Sequence, residues 1–283
     1  MKMNFKKSLT SIFLAVILAG NVYSQDVKLP APSPTQTITQ DFALSSVSIN
    51  YSRPSAKGRV IFGDLVPYGQ VWRTGANAST KIKFGEDVSI NGKAVPAGEY
   101  ALYTIPGQNE WTFILSKNLK LWGSIGYNEA EDLIRFTAQP QTVPFNVETF
   151  TILPGVQTAN SLDIQLLWAN VAVGFTVKAD IDSKIQASLD AAMKGDKKPY
   201  FQAASYYYEK NLDLSKALTW VNEAAKAQPD AYWIEHLKAK IQLKKGDKKG
   251  AIASAESSMK KAEAQKNPDY VALNKKLIAE ASK

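Results

Sequence analysis

Three of the chain's four arginines, Arg53, Arg59 and Arg73, fall within 21 residues, whereas thirty lysines carry positive charge elsewhere. A guanidinium holds its donors in one plane and grips a carboxylate, phosphate or sulfate through paired hydrogen bonds, a geometry that an ammonium cannot reproduce. Tyr68 and Trp72 stand beside them with flat faces suited to a sugar ring or a guanidinium. Asn77, Ser79 and Thr80 add short donors and acceptors, and the glycines at 58, 63, 69 and 75 let main chain approach a ligand. The pattern predicts a loop site for an anionic or glycan-like ligand, built from Arg53, Arg59, Tyr68, Trp72, Arg73, Asn77 and Thr80. The same residues suit a fastening role, with Arg53 or Arg59 tied to Asp64 or to loop carbonyls while Ile61, Phe62, Leu65, Val66 and Trp72 plug the end of a sandwich. Arg73, next to Trp72, is the expected ligand arginine; Arg53, fixed before Pro54, is the expected clasp. A second aromatic loop, LWGSIGYNEAED with Trp122 and Tyr127, is a further candidate wall.

Other chemistries lose their central residues. His236 is the one histidine and lies among lysines in the C-terminal part, where a surface or interhelical role is expected. A Ser-His-Asp relay, a zinc site of two or three imidazoles and a histidine base near the arginines are thereby excluded. With no cysteine, thiolate nucleophiles, thiolate metal sites, disulfides and a cysteine-linked lipid anchor are excluded too. The glycine-rich phosphate loops, the nucleophile elbow and the calcium loop have no counterpart. No cofactor or metal is expected. Carboxylate chemistry survives elimination, because a glycosidase needs two acids flanking a sugar and sequence spacing does not report their separation. Glu99, Glu110, Glu129, Glu131 and Asp132 are the candidates.

Elements must position these groups, and the chain divides to provide them. Residues 1–24 carry Lys2, Lys6 and Lys7, the apolar run SIFLAVILAG, and small residues at Val22 and Ser24. This is the pattern of an export signal cleaved before Gln25, and the run is too short for a comfortable span. A periplasmic protein with no transmembrane segment is expected. Residues 25–183 hold twelve basic and fourteen acidic side chains, a net −2, whereas residues 184–283 hold nineteen lysines against twelve acids, a net +7. Lysines spread along helix faces are usually a solvated surface, and no nucleic-acid partner is expected.

After an extended leader over residues 25–35, residues 36–178 read as strands. Val47, Ile49 and Tyr51 alternate, as do Ile82 and Phe84; Asn91-Gly92 and Pro106-Gly107 mark turns. Later runs, LIRFTA, VETFTIL, SLDIQLLW and VAVGFTV, keep the two-residue period. Eight or nine short strands favour an antiparallel sandwich over a barrel. Residues 179–283 read as helices of ten to sixteen residues, beginning with Ile181, Ile185 and Leu189 on one face. A shift of 34 residues lays Asp213 on Asp247, Ala217 on Ala251 and Leu218 on Ile252. That period is the signature of tetratricopeptide helix pairs. Phe201, Tyr208, Ala217, Ala224 and Pro229 fit such a unit; Glu235 and Gln242 depart from it in the second, and a closing helix is expected near Tyr270 to Ala281. The whole is an α+β chain whose short helical tail suits docking of a protein partner, dimerisation, or bracing of the sandwich.

YSRP, KGRVIFGDLVPYGQVWRTGAN, VPAGEYALYTIPG and NEWTFILS resemble the domain-of-unknown-function 2911 family of exported bacterial proteins, over roughly Pro34 to Lys178. The resemblance implies export, the division of the chain and a helical repeat tail, and supplies no reaction. The resulting expectation is an exported binding protein with an arginine-aromatic loop site. A carboxylate-dependent hydrolase of envelope sugars and an envelope assembly factor are the alternatives.

Overall fold

The computed structural model describes residues 29–283. The export segment expected over residues 1–24 and the start of the leader lie outside the described residues. Ten strands follow in order: β1 (Thr35–Phe42), β2 (Ser45–Ser52), β3 (Thr80–Phe84), β4 (Val88–Ile90), β5 (Lys93–Val95), β6 (Gly98–Ile105), β7 (Trp111–Ser116), β8 (Asp132–Ala138), β9 (Gln141–Gln157) and β10 (Ser161–Lys178). They form two antiparallel sheets, ordered β1-β2-β3-β6-β7-β8 and β5-β4-β10-β9.

The two-residue period dictates which faces meet. Val47, Ile49 and Tyr51 of β2 and Ile82 and Phe84 of β3 are all buried, with Ile49 opposite Ile82 and Ile82 opposite Tyr100 of β6. Ile152, Leu162, Ile164, Leu166 and Val177 face them from the second sheet, so the core lies between the sheets as in a sandwich. Asn91 and Gly92 both take left-handed backbone, φ 48° and 76°, which closes β4 onto β5 as a two-residue hairpin. Tyr51 joins the sheets: its hydroxyl donates to the Ile152 carbonyl at 3.1 Å and accepts from the Ile152 N–H at 2.9 Å.

β10 is bent. Ala169 sits at φ 50°, and beyond it the strand doubles back, so that the Ala179 N–H donates to the Asn160 carbonyl and the Thr176 hydroxyl reaches the Asp163 carboxylate at 2.6 Å. Gly174 makes this passage workable, since a Cβ there would lie 2.4 Å from the Ile164 carbonyl oxygen. One end of the sandwich is closed by rings rather than aliphatic chains. Trp72 stacks on Trp168 with centroids 5.8 Å apart, while Phe62, Trp111 and Phe150 meet them edge to face or tilted.

Six helices complete the chain: α1 (Asp182–Ala192), α2 (Tyr200–Glu209), α3 (Leu214–Ala227), α4 (Tyr232–Lys244), α5 (Lys248–Ala264) and α6 (Pro268–Ala281). The residues matched by the 34-residue shift do equivalent work. Asp213 and Asp247 each cap a helix by accepting first-turn N–H groups, and Ala217 and Ala251 are each fully buried four residues on. Where bulky apolar residues are missing from α4, polar bridges to α5 replace them: Glu235 pairs with Lys261 at 2.9 Å and Gln242 accepts from Ser254 at 2.7 Å. α5 buries only small residues, Ala251, Ser254, Ala255, Ser258 and Ala262, which lets α4 and α6 approach it closely. No helix among the described residues is long and apolar enough to cross a membrane.

Candidate functional site

The seven residues singled out by the arginine-rich stretch do not gather around one cavity. Arg53 donates through Nε to the Phe150 carbonyl at 3.2 Å and through Nη2 to the Thr151 hydroxyl at 2.9 Å, which fastens the end of β2 to β9. Arg59 folds back on its own loop, Nε to the Ala56 carbonyl and Nη2 to the Ser55 carbonyl. Arg73 donates through Nη1 to the Asn77 carbonyl at 2.9 Å, and its guanidinium packs on Gly123, where a Cβ would stand 2.9 Å from Nη1. The Trp122 loop thus reaches Arg73 as a cover rather than as the far wall of a pocket. Asn77, at φ 60°, donates from its amide to the Ser33 carbonyl and the Ser52 hydroxyl. Thr80 is fully buried and donates to the Thr74 carbonyl, and Trp72 lies in the ring cluster with Nε1 bonded to the Gly75 carbonyl. Each of these residues has at least one polar group bonded to main chain or a neighbouring hydroxyl, Arg73 through Nη1 alone.

Tyr68 is placed differently. Its ring rests on Gly63, where a Cβ would come within 2.8 Å of it, and the side chain remains 38% exposed. The Gly69 N–H donates to the Pro106 carbonyl, which holds this loop against the β6–β7 turn. There Tyr68 borders a cavity of about 210 Å³, backed by Phe62 and Trp111 and edged by Gln108, Gln141 and Asn170. Gln141 also borders a second cavity, of about 250 Å³, across the bend of β10, where Gln139, Gln165, Asp163 and Thr176 stand over bare main chain at Gly174. Together they make an amide-lined surface, joined at the shared Gln141, along the β8–β9 turn and β10. Its polar groups are mostly side-chain amides, each offering donors and an acceptor. Asp163 is its one charged side chain, and it accepts from Thr176.

The carboxylates considered for hydrolysis lie elsewhere. Glu129 and Asp132 both pair with Arg135, at 3.1 and 2.6 Å, and Glu131 accepts from Asn118. Burial, reinforced by Asp132 beside it, pushes the Tyr127 phenol up to about 12, so it stays protonated and donates to the same Asp132 oxygen that Arg135 holds. The other oxygen of Asp132 is buried without a partner. Two of these acids are tied to one arginine instead of being poised across a cleft. Glu99 and Glu110 are exposed.

The sequence offered little warning of the cleft, because Gln141, Gln165 and Asn170 occupy polar positions of strands and Gln139 a turn between two of them, the pattern that any solvated sheet face shows. The bend at Ala169 and Gly174 is what turns those positions toward one another.

The family described as protein of unknown function (DUF2911) matches residues 33–177. The chain belongs to the DUF2911 family. No curated protein and no solved structure matches it. The DUF2911 match spans both sheets and every residue of the amide cleft and stops just before the helices, so the cleft is built wholly within the family's portion of the chain.

Proposed function

We propose that this DUF2911 protein is an exported binding protein whose sandwich holds a neutral, hydroxyl-rich ligand of the glycan class in the amide cleft. The observation that carries the reading is the lining of two cavities that share Gln141: glutamine and asparagine amides beside a partly exposed tyrosine, with Asp163 as the one charge. Amides match hydroxyl groups, which also both donate and accept, and an aromatic face suits the C–H side of a sugar ring. An anionic ligand is less well served, since no arginine or lysine borders the cleft. Binding is favoured over hydrolysis because the cleft presents one carboxylate where glycoside cleavage needs two. A scaffolding role has weak support: among the helices the exposed large apolar residues are Leu212 and Leu273, too few for a broad patch. The tail is read as a short tetratricopeptide-like array.

Thermal melts of the purified protein against neutral oligosaccharides of glucose, xylose and N-acetylglucosamine, with acidic sugars in parallel, test the reading. A neutral oligosaccharide at a hundred times its Kd should stabilise by about 2.7 kcal/mol. Gln141→Ala and Tyr68→Ala, both at exposed positions, should abolish that stabilisation while leaving the unliganded melt nearly unchanged. Stabilisation by acidic sugars alone, or an unaltered response in both variants, would overturn the assignment of this cleft.

A further inference from the structure

A second concavity lies outside the DUF2911 span, in the helices. It is a groove of about 580 Å³ between α2, α4 and α6, with Leu243, Leu273 and Leu277 as its apolar floor and three lysines, Lys240, Lys244 and Lys276, on its walls. A few lysines elsewhere in the helical part find acids, Lys210 pairing with Asp182, Lys226 with Glu223 and Lys261 with Glu235, while most point to solvent without an ion pair among the described residues. The three groove lysines make no ion pair among the described residues. Lys240 and Lys244, one turn apart, both place Nζ 4.8 Å from the centroid of the Tyr208 ring, and Lys244 also donates to the Tyr208 carbonyl at 3.2 Å, so two like charges crowd one tyrosine. Like charges at this spacing repel, and a cation over a ring is only partly compensated. Glu280 is the one acid at the groove, which leaves it with net positive charge.

His236 adds a directional group. Asn274 is fully buried and its Nδ2 donates to the Ser258 hydroxyl and the Tyr270 carbonyl, so its Oδ1 is the acceptor and His236 Nδ1, 2.8 Å away, the donor. Burial, then Lys240 nearby, holds the imidazole below its ordinary range, so the ring is neutral at pH 7 and Nε2 is left as an acceptor. Cationic walls, an apolar floor and a hydrogen-bond acceptor together describe the complement of a peptide, which brings N–H donors with its side chains; a lipid acyl chain or a phosphate diester has no N–H to offer.

We propose that this groove docks a short acidic stretch of a partner protein, in which aspartate or glutamate alternates with leucine-like side chains. The carboxylates meet Lys240, Lys244 and Lys276, an apolar side chain covers Leu273, and a main-chain N–H meets His236. The proposal stands independently of the glycan reading, since the two sites share no residue.

The test titrates the full chain into a fluorescein-labelled octapeptide alternating aspartate and leucine, with aspartate–serine and lysine–leucine peptides alongside. The aspartate–leucine peptide should bind and the lysine–leucine peptide should not. Lys240→Glu with Lys276→Glu should weaken binding by about tenfold or more, whereas Lys226→Glu with Lys283→Glu, the same charge change outside the groove, should have little effect. Leu273→Ala should weaken binding of the aspartate–leucine peptide but not that of the aspartate–serine peptide. Equal weakening by both charge-reversal pairs, binding that ignores Leu273, or retention on anionic phosphatidylglycerol vesicles without response to any peptide overturns the proposal. Circular dichroism of each variant separates lost binding from lost fold.

Discussion

Arg53 and Arg59 show how much a residue's role depends on what its donors reach. Both guanidiniums bond to main chain, but Arg53 bridges two sheets across 97 residues of sequence whereas Arg59 bonds a carbonyl three residues back on an exposed loop. Replacing Arg53 with lysine removes a two-pronged donor and leaves partly buried acceptors unpaired, so Arg53→Lys should lower unfolding free energy by about 1–3 kcal/mol. Arg59→Lys leaves acceptors that water can reach, and should cost less than about 0.5 kcal/mol. Urea denaturation of the two variants beside wild type checks the contrast. Equal losses would mean that the sheet-to-sheet bridge is not what Arg53 contributes.

At the scale of elements, the sandwich and the helices meet across a short junction. Ile181 belongs to the sandwich core, Ile185 packs against both hydrophobic clusters, and Lys184 pairs with Glu86 at 3.0 Å. The sheets otherwise close their core with their own strands and the ring cluster of Trp72, Trp111, Phe150 and Trp168. A fragment ending at Asp182 keeps Ile181 and should therefore fold cooperatively with a β-type circular dichroism spectrum. The isolated helices should be helical but weakly stable, because each pair buries its face only against its neighbours. An unfolded N-terminal fragment would show that α1 completes the sandwich core.

For the whole molecule, the basicity gathered in the helices and the near balance of the sandwich leave two surfaces of different character, an amide-lined cleft with one carboxylate and a cationic groove, on which the two proposed kinds of binding rest. If residues 1–24 direct export, protein recovered from the envelope of an expressing bacterium should have an intact mass corresponding to a start at Gln25 or within a few residues of it. Retention of those residues would count against export.

The sequence by itself determined the α+β division, the antiparallel pairing and the buried faces, because alternation at two residues and recurrence at 3.6 are local consequences of backbone geometry. The central motif was enough to place the chain in its family. Even the equivalence of Asp213 with Asp247 and of Ala217 with Ala251 was legible, since a cap and a helix crossing need the same residue types wherever they recur. What the arginines touch was decided only in three dimensions: Arg53 meets Phe150, and Arg73 meets Gly123, through pairings that no local pattern encodes. The amide cleft and the lysine groove arise the same way. Gln108, Gln141 and Gln165 are ordinary polar positions until the bend of β10 brings their strands and turns together, and Lys240 and Lys276 are ordinary surface lysines until α4 and α6 pack side by side. A binding surface is a relation between distant segments, and sequence periodicity reports only on near ones.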